Sequence, residues 1–327
     1  MKWLSDAALN RLRDAADLPD LSGTDYVLVD KLGEGGMGGV YRVKDAALGR
    51  QVALKVTTMV DSSGEFAVRL LREAKIIAQL EHPGIVPVHD VGALPDGRVF
   101  YTMKLVQGRR LDQQTAKLGG VPERLRIFQK ICETVSFAHA HKVLHRDLKQ
   151  QNIMVGRFGE VLVMDWGLAK SLHAETAAEP AGMGAMDLTK ETSGAVAPDT
   201  AHGAVLGTPG YMAPEQARGD TAAVGPRADV FSLGAVLKFL LENGVAMPKP
   251  LAAIADKATA EDMEQRYVSV EEMAADVTHY LDGLPVAAYP EGAITRLWRW
   301  VVRNRAWILL ILAYLVMRAL FILLRSR

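Results

Sequence analysis

The stretch "HRDLKQQNIMVGRFGEVLVMDWG", residues 145–167, decides the fold. It opens on the densest polar cluster in an otherwise apolar neighbourhood, and two short apolar runs, "IMV" and "VLVM", follow around the turn "GRFGE". Two such runs about a glycine-bearing turn read as a short hairpin whose open ends are Asn152 and Asp165. Antiparallel pairing then sets an amide oxygen beside a carboxylate. Those are the hard ligands Mg²⁺ takes when phosphates and water complete its octahedron. Asp147, just upstream, is placed to accept a proton from a hydroxyl, and Lys149 to offset charge on a transferred phosphate.

Upstream, "GEGGMGGVY" carries Gly33, Gly35 and Gly38 in a GxGxxG arrangement. A dinucleotide-binding fold would start a helix there, whereas "VYRVK" alternates as a strand, so the glycines cap a β-hairpin. The amides of such a hairpin can approach a phosphate closely, and an ordinary glycine-rich turn has the same composition. Lys55, in "VALKV", lies in the strand expected next, where a lysine turned inward needs an anion. Glu73 is one: in the helical stretch 65–80 it shares the inward face with Leu70 and Ile77. The alternative is a surface pair of Glu73 with Arg69 or Arg72.

The 327 residues are 49% hydrophobic, enough for one large domain or two modest ones. Formal charge is zero, yet residues 296–327 hold seven arginines and no acid, leaving the rest of the chain at −7. That balance argues against nucleic acid as a partner of the folded part. Cys132 is the only cysteine, so no intrachain disulfide forms, and its apolar helical surroundings read as a buried thiol rather than a nucleophile. Strand-like patterning dominates the first part of the chain. Helical patterning dominates the second, at 125–140, in "DVFSLGAVLKFLLEN" and in "SVEEMAADVTHYL", the last opened by a capping box from Ser269 to Glu272. The expectation is an α+β protein of two lobes with a ligand cleft between them. The Ala-, Gly- and Thr-rich residues 171–205 suit a loop.

Taken in order, GxGxxGxV from Gly33 to Val40, "VALK" ending at Lys55, an inward Glu73, "HRDLKQQN", "DWG" at 165–167 and "APE" at 213–215 resemble the bacterial eukaryotic-like (Hanks-type) serine/threonine protein kinases of the membrane-anchored kind. The resemblance covers residues 26–284 and implies the two-lobed kinase fold, with a β-rich N-lobe at 26–106 and a helical C-lobe at 107–284. It also implies ATP as phosphate donor, Mg²⁺ (or Mn²⁺) as cofactor and protein Ser/Thr hydroxyls as acceptors. By that likeness Lys55 contacts the α and β phosphates and pairs with Glu73, while Asn152 and Asp165 hold the metal. Asp147 deprotonates the hydroxyl and Lys149 steadies the γ-phosphate. The nucleotide is expected at the glycine-rich hairpin, against Leu32, Gly33, Glu34, Gly35, Gly36, Met37, Gly38 and Val40. Ala53 and Met154 are expected to contact the nucleotide as well, Met103 is the gatekeeper, and the hinge runs from Lys104 to Val106.

Regulatory positions follow from the same likeness. Arg146, beside Asp147, implies control by a phosphate on the activation segment, with Thr192, Ser193 and Thr200 as acceptors and neighbouring kinases modifying one another in trans. Thr208 is expected beside the substrate hydroxyl, Glu215 and Arg266 as an ion pair bracing the C-lobe, and Asp229 beneath the catalytic loop. Two departures stand out. Trp166 replaces the usual phenylalanine, where apolar volume is the expected role. Only a few residues separate "LLENG" from "PLAAIADKA", so the C-lobe is shortened after its long helix and lacks a substrate-docking helix. Retention of Lys55, Asp147 and Asp165 favours an active enzyme over a pseudokinase scaffold, and the segment 208–215 weighs against a small-molecule or lipid kinase.

At the C-terminus, residues 306–324 carry a single charge, Arg318, and a helix of that length spans about 28 Å. Arg296, Arg299, Arg303 and Arg305 with Trp298, Trp300 and Trp307 make 285–305 a basic, aromatic juxtamembrane segment. The expectation is a single-pass helix in the cytoplasmic membrane with the kinase domain in the cytoplasm; a helix lying on the membrane or packed on the protein is the alternative. Residues 1–25 read as an extension with a short docking helix at 3–16 rather than a secretion signal. With so little chain after the span, signals are expected through partners, the membrane or that helix.

Overall fold

The computed structural model describes residues 18–35, 38–57, 64–114, 118–167, 170–171, 210–220, 223–242, 247–290, 292, 301 and 304–325. Strands β1 (Tyr26–Gly35), β2 (Gly38–Asp45), β3 (Arg50–Thr57), β4 (Val88–Ala93) and β5 (Val99–Lys104) form an antiparallel sheet in the order β1-β2-β3-β5-β4. Alternation along the strands sends Tyr41, Val43, Val52, Leu54, Val56 and Phe100 to one face, where Leu21 and Leu94 close over them. The residues between them face the cleft in cross-strand rows. Val40, Lys55 and Tyr101 stand opposite one another, and Arg42, Ala53 and Met103 form the next row. A one-residue slip of β3 would carry Lys55 to the far face, so burial of the valines and leucines sets the register of the lysine.

Helix α1 (Glu65–Ala78) buries Leu70, Ala74, Ile76 and Ile77, with Glu73 among them. The two residues expected beyond its end form a tighter turn, Gln79 and Leu80 donating to the carbonyls of Ile76 and Ile77. The chain then runs through β6 (Gly108–Arg110) and α2 (Leu111–Gln114) into α3 (Val121–Ala140), the long helix of the second lobe. It starts four residues before the expected position because Pro122 pre-sets its first turn, where the apolar spacing is silent. Next come β7 (Val143–Leu144), β8 (Ile153–Gly156), β9 (Val161–Val163), β10 (Lys170–Ser171), α4 (Pro214–Ala217), α5 (Pro226–Leu241), α6 (Lys249–Ala258) and α7 (Val270–Leu281).

Helix α5 is buried on most of its circumference, as its near-continuous apolar sequence demands. A Cβ on Gly234 would sit 2.7 Å from both Ala258 Cβ and Thr259 Cγ2, so glycine permits the close approach of α6. The chain passes from α5 to α6 through residues 242–248, with no further helix among the described residues there. At the start of α7, Ser269 Oγ accepts from the Glu272 N–H, but the Glu272 carboxylate reaches back to the Val268 N–H, one residue beyond the expected capping box. The buried carboxylate of Asp276 accepts from Tyr267 Oη at 2.8 Å and from the Ala287 and Ala288 amides at 2.7 and 3.0 Å, which ties the segment after α7 to the second lobe.

Helix α8 (Arg305–Arg325) leaves Trp307, Leu309, Leu310, Ile311 and Tyr314 exposed. Among the described residues no helix is long and apolar enough to cross a membrane, which leaves the span expected at 306–324 without structural support. The docking helix expected at 3–16 and the loop at 172–205 lie outside the described residues.

Candidate active site

A cleft of about 770 Å³ lies between the sheet and the helical lobe, a volume typical of small-molecule sites. Leu32, Gly33 and Glu34 line it from β1, Gly38 and Val40 from β2, and Ala53 and Lys55 from β3. Met103, Lys104 and Val106 line its back and Met154 its other lobe. Gly35 pairs with Gly38 at the hairpin end, while Gly36 and Met37 lie outside the described residues. The glycines serve different ends. A Cβ on Gly33 would meet nothing within 4 Å, whereas one on Gly38 would fall 1.8 Å from the Val56 carbonyl oxygen. Gly38 is therefore demanded by pairing with β3, and of the two Gly33 is the one that leaves room for a bound group.

At the inner end of the cleft Lys55 Nζ donates to both Glu73 oxygens at 2.8 Å and lies 3.5 Å from Asp165 Oδ1. Burial works against the ammonium charge, but the Glu73 and Asp165 carboxylates outweigh it and hold the Lys55 pKa above its ordinary value. The surface alternative for Glu73 does not occur: Arg69 pairs with Glu65 instead. Tyr101, which carried no sequence signal, donates its hydroxyl to Glu73 Oε1 at 3.0 Å.

The polar cluster at 145–152 is held from below. Asp229, on α5 and fully buried, accepts from the His145 amide at 2.9 Å, the Arg146 amide at 2.8 Å and His139 Nε2 at 2.7 Å. Gln216 Nε2 donates to the Arg146 carbonyl at 2.9 Å, so the backbone of Arg146 is pinned on both sides. That restraint maintains a left-handed φ of 68° at Arg146, a conformation costing about 1–2 kcal/mol for a side chain with a Cβ. Burial lowers the Arg146 pKa, Asp229 partly restores it, and the neighbouring Arg72 lowers it again. Two cations beside each other make an attractive place for an anion. Sequence spacing offers Arg72 only as a surface partner of Glu73 and carries no signal for His139 or Gln216.

Asp147 Oδ2 accepts from Lys149 Nζ at 2.7 Å and from Asn152 Nδ2 at 3.2 Å, and Asn152 Nδ2 also reaches the Asp147 carbonyl at 2.9 Å. The hairpin forms as expected: Ile153 stands opposite Val163, and the Met164 amide donates to the Asn152 carbonyl at 2.7 Å. Asn152 and Asp165 therefore line the same cleft. With its nitrogen committed to Asp147, the Asn152 amide has Oδ1 left as a cation ligand, and Asp165, in a left-handed conformation with φ 60°, turns a half-exposed carboxylate into the cleft. No cluster of three or more His, Cys, Asp or Glu suited to a metal occurs among the described residues. One amide and one carboxylate oxygen nonetheless fit Mg²⁺, which takes few protein ligands when phosphates and water supply the rest.

Trp166 does more than fill volume. It is 1% exposed, its Nε1 donates to the Val163 carbonyl at 3.2 Å, and its ring lies 4.6 Å from that of His145. His145 bonds the Met164 carbonyl through Nε2 and accepts the Asp147 amide through Nδ1, which sets its tautomer. The indole thus tethers the strand end that carries Asp165 to the loop that carries Asp147. Glu215 and Arg266 form a buried bidentate pair at 2.7 and 2.9 Å, with the guanidinium over the Phe231 ring. Thr208, Thr192, Ser193 and Thr200 lie outside the described residues.

Comparison with known proteins identifies the family. Residues 26–282 match the protein kinase domain family, and the chain belongs to that family. It is 33% identical over 302 residues to the serine/threonine-protein kinase PknD of Protochlamydia amoebophila, covering 79% of this chain and 30% of the relative. PknD of Chlamydia trachomatis serovar D is 35% identical over 311 residues, covering 80% and 32%. The chain thus spans about a third of the length of the curated relatives it matches. The Mycobacterium tuberculosis PknI kinase domain superposes with a TM-score of 0.54 at 25% identity, covering 78% of this chain and 95% of that one.

Proposed function

We propose that this chain is an active serine/threonine protein kinase, transferring the γ-phosphate of ATP to protein Ser or Thr hydroxyls. The observation that carries the reading is Lys55 Nζ, 2.8 Å from both Glu73 oxygens and 3.5 Å from Asp165, at the inner end of the cleft. Lys55 binds the α and β phosphates there, and Glu73 keeps the ammonium in place. Asn152 and Asp165 would hold Mg²⁺, which when bound would supply charge neutralisation and orientation of the phosphates. Asp147 orients the acceptor hydroxyl and takes its proton as the oxygen attacks the γ-phosphorus and the bond to the β–γ bridging oxygen breaks to release ADP, and Lys149, 2.7 Å from Asp147, offsets charge on the transferred group. Retention of Lys55, Asp147 and Asp165 in one site disfavours a pseudokinase.

The test is labelling by γ-labelled ATP with Mg²⁺, wild type against Asp147→Asn and Asp165→Ala, followed by phosphoamino-acid analysis. Phosphoserine or phosphothreonine in the wild type alone is expected; equal labelling of all three overturns the reading.

Regulation and placement extend the proposal. Arg146 and Arg72 are proposed to receive a phosphate from the activation segment, added in trans by a neighbouring copy at Thr192, Ser193 or Thr200, with Thr208 beside the acceptor. The 306–324 segment is proposed to anchor the protein in the cytoplasmic membrane with the kinase domain in the cytoplasm, on the strength of its sequence and the exposed apolar side chains of α8. Release from membranes by alkaline carbonate would refute the anchor.

A further inference from the structure

We infer that Tyr101 is a positioning residue that locks α1 inward by holding Glu73, so that the Lys55–Glu73 pair persists when Lys55 engages phosphate. The inference rests on the kinase reading. Its physical basis is the sharing of one carboxylate between two strands. Lys55 and Tyr101 stand directly opposite one another on β3 and β5, so both side chains leave the same face of the sheet toward α1. Lys55 Nζ takes both Glu73 oxygens at 2.8 Å, and the Tyr101 hydroxyl donates to Oε1 at 3.0 Å. The lysine ammonium also runs past the Tyr101 ring, 5.9 Å from its centroid.

The two donors differ in what else they can do. Lys55 carries three protons on a flexible stem and already approaches Asp165 at 3.5 Å, so an incoming phosphate competes with Glu73 for it. Tyr101 is 2% exposed, has a single proton and rises from a central strand of the sheet. Burial, and then the Glu73 charge, raise its pKa well above the ordinary tyrosine value, which keeps the phenol a donor across the physiological range. A carboxylate held by lysine alone would lose its restraint as the lysine turned to the nucleotide. One held by tyrosine as well stays where it is, and α1 stays with it.

The experiment compares the full chain with Tyr101→Phe, Glu73→Gln and the double variant, by steady-state phosphorylation of myelin basic protein and by amide hydrogen exchange in α1. Tyr101→Phe removes one hydrogen bond to a charged group and nothing of the ring. A fall in kcat/KM for ATP of about 10-fold is expected, with a similar acceleration of exchange in α1 and none in α3 or α5. In the Glu73→Gln background the same substitution should change kcat/KM by less than about 2-fold, because the partner through which it acts has been altered. Unchanged exchange in Tyr101→Phe overturns the inference whatever the activity. So does an equal loss in both backgrounds, which would mark a packing role. An inactive wild type with the exchange effect intact would count against the kinase reading and leave the lock standing.

Discussion

Replacing Asp229 by asparagine tests whether this carboxylate holds the catalytic loop in shape. Oδ1 accepts the Arg146 amide, and Oδ2 accepts both the His145 amide and His139 Nε2, at 2.7–2.9 Å. Asparagine keeps one acceptor and turns the other into a donor. The milder orientation places the new NH₂ against the Arg146 amide, losing one charge-assisted bond, about 1.5–3 kcal/mol, and stranding a buried N–H at about 1–3 kcal/mol. With partial relaxation the expected loss is about 2–5 kcal/mol, which lowers Tm by about 5–15 °C in a domain of this size. Arg146 would also lose part of the restraint on its left-handed φ of 68°, so kcat should fall by about 10-fold or more even at temperatures where the variant is folded. Calorimetry and steady-state phosphorylation at 20 °C below the variant's Tm measure the two effects separately. A Tm within about 2 °C of wild type would refute the stability argument, and a stable fold with undiminished kcat would refute the link from anchor to chemistry.

Acid stability should carry the same signature. Burial acts to raise the Asp229 pKa, but His139 and His145 outweigh it and hold it below the ordinary 3.8. A depressed folded pKa gives stability that is present above about pH 4 and lost as pH falls through the folded value, so wild type and Asp229→Asn should converge in acid when melting is followed from pH 7 to 3. Gly38→Ala should destabilise by several kcal/mol, about 2–4, since its Cβ falls 1.8 Å from the Val56 oxygen, whereas Gly33→Ala should leave Tm almost unchanged and raise KM for ATP. Trp166→Phe removes the Nε1 bond to Val163 and leaves a void; a loss of about 1–3 kcal/mol in urea unfolding is expected, and a neutral result would return the residue to a volume filler.

Most of the cleft was legible because its chemistry sits in short local patterns. Asn152 and Asp165 meet through a hairpin whose turn and apolar runs are contiguous, and Glu73 faces inward by simple helical spacing from Leu70 and Ile77. Tyr101, His139 and Gln216 were not legible. Each acts across a large sequence separation, to Glu73, Asp229 and Arg146 respectively, which no local spacing reports. At Gly38 spacing marks a glycine but does not say that a neighbouring strand excludes its side chain. For α8 the apolar sequence of 306–324 is plain, but apolarity alone does not distinguish a span from a helix docked on a membrane or a protein.

Four buried carboxylates share one construction. Glu73 joins α1 to β3 and β5, Asp229 joins α5 to the catalytic loop, Glu215 joins α4 to Arg266, and Asp276 joins α7 to the segment that follows it. Burying a charge in this way contributes little net stability, because desolvation offsets most of the Coulombic gain. What it does confer is intolerance of misplacement: a buried carboxylate that loses its donors costs far more than an apolar contact that slides. Among the segments so held, the catalytic loop at 145–152 has a single apolar side chain of its own, Leu148, whereas the stretch at 286–289 is held both by Asp276 and by apolar packing of Val286. Apolar packing positions α3 and α5, and at the catalytic loop Asp229 positions a backbone that packing alone does not fix. On that basis a substitution that keeps size but removes charge at any of the four should loosen its own segment most, with hydrogen-exchange protection in the helical core falling only by the loss of global stability.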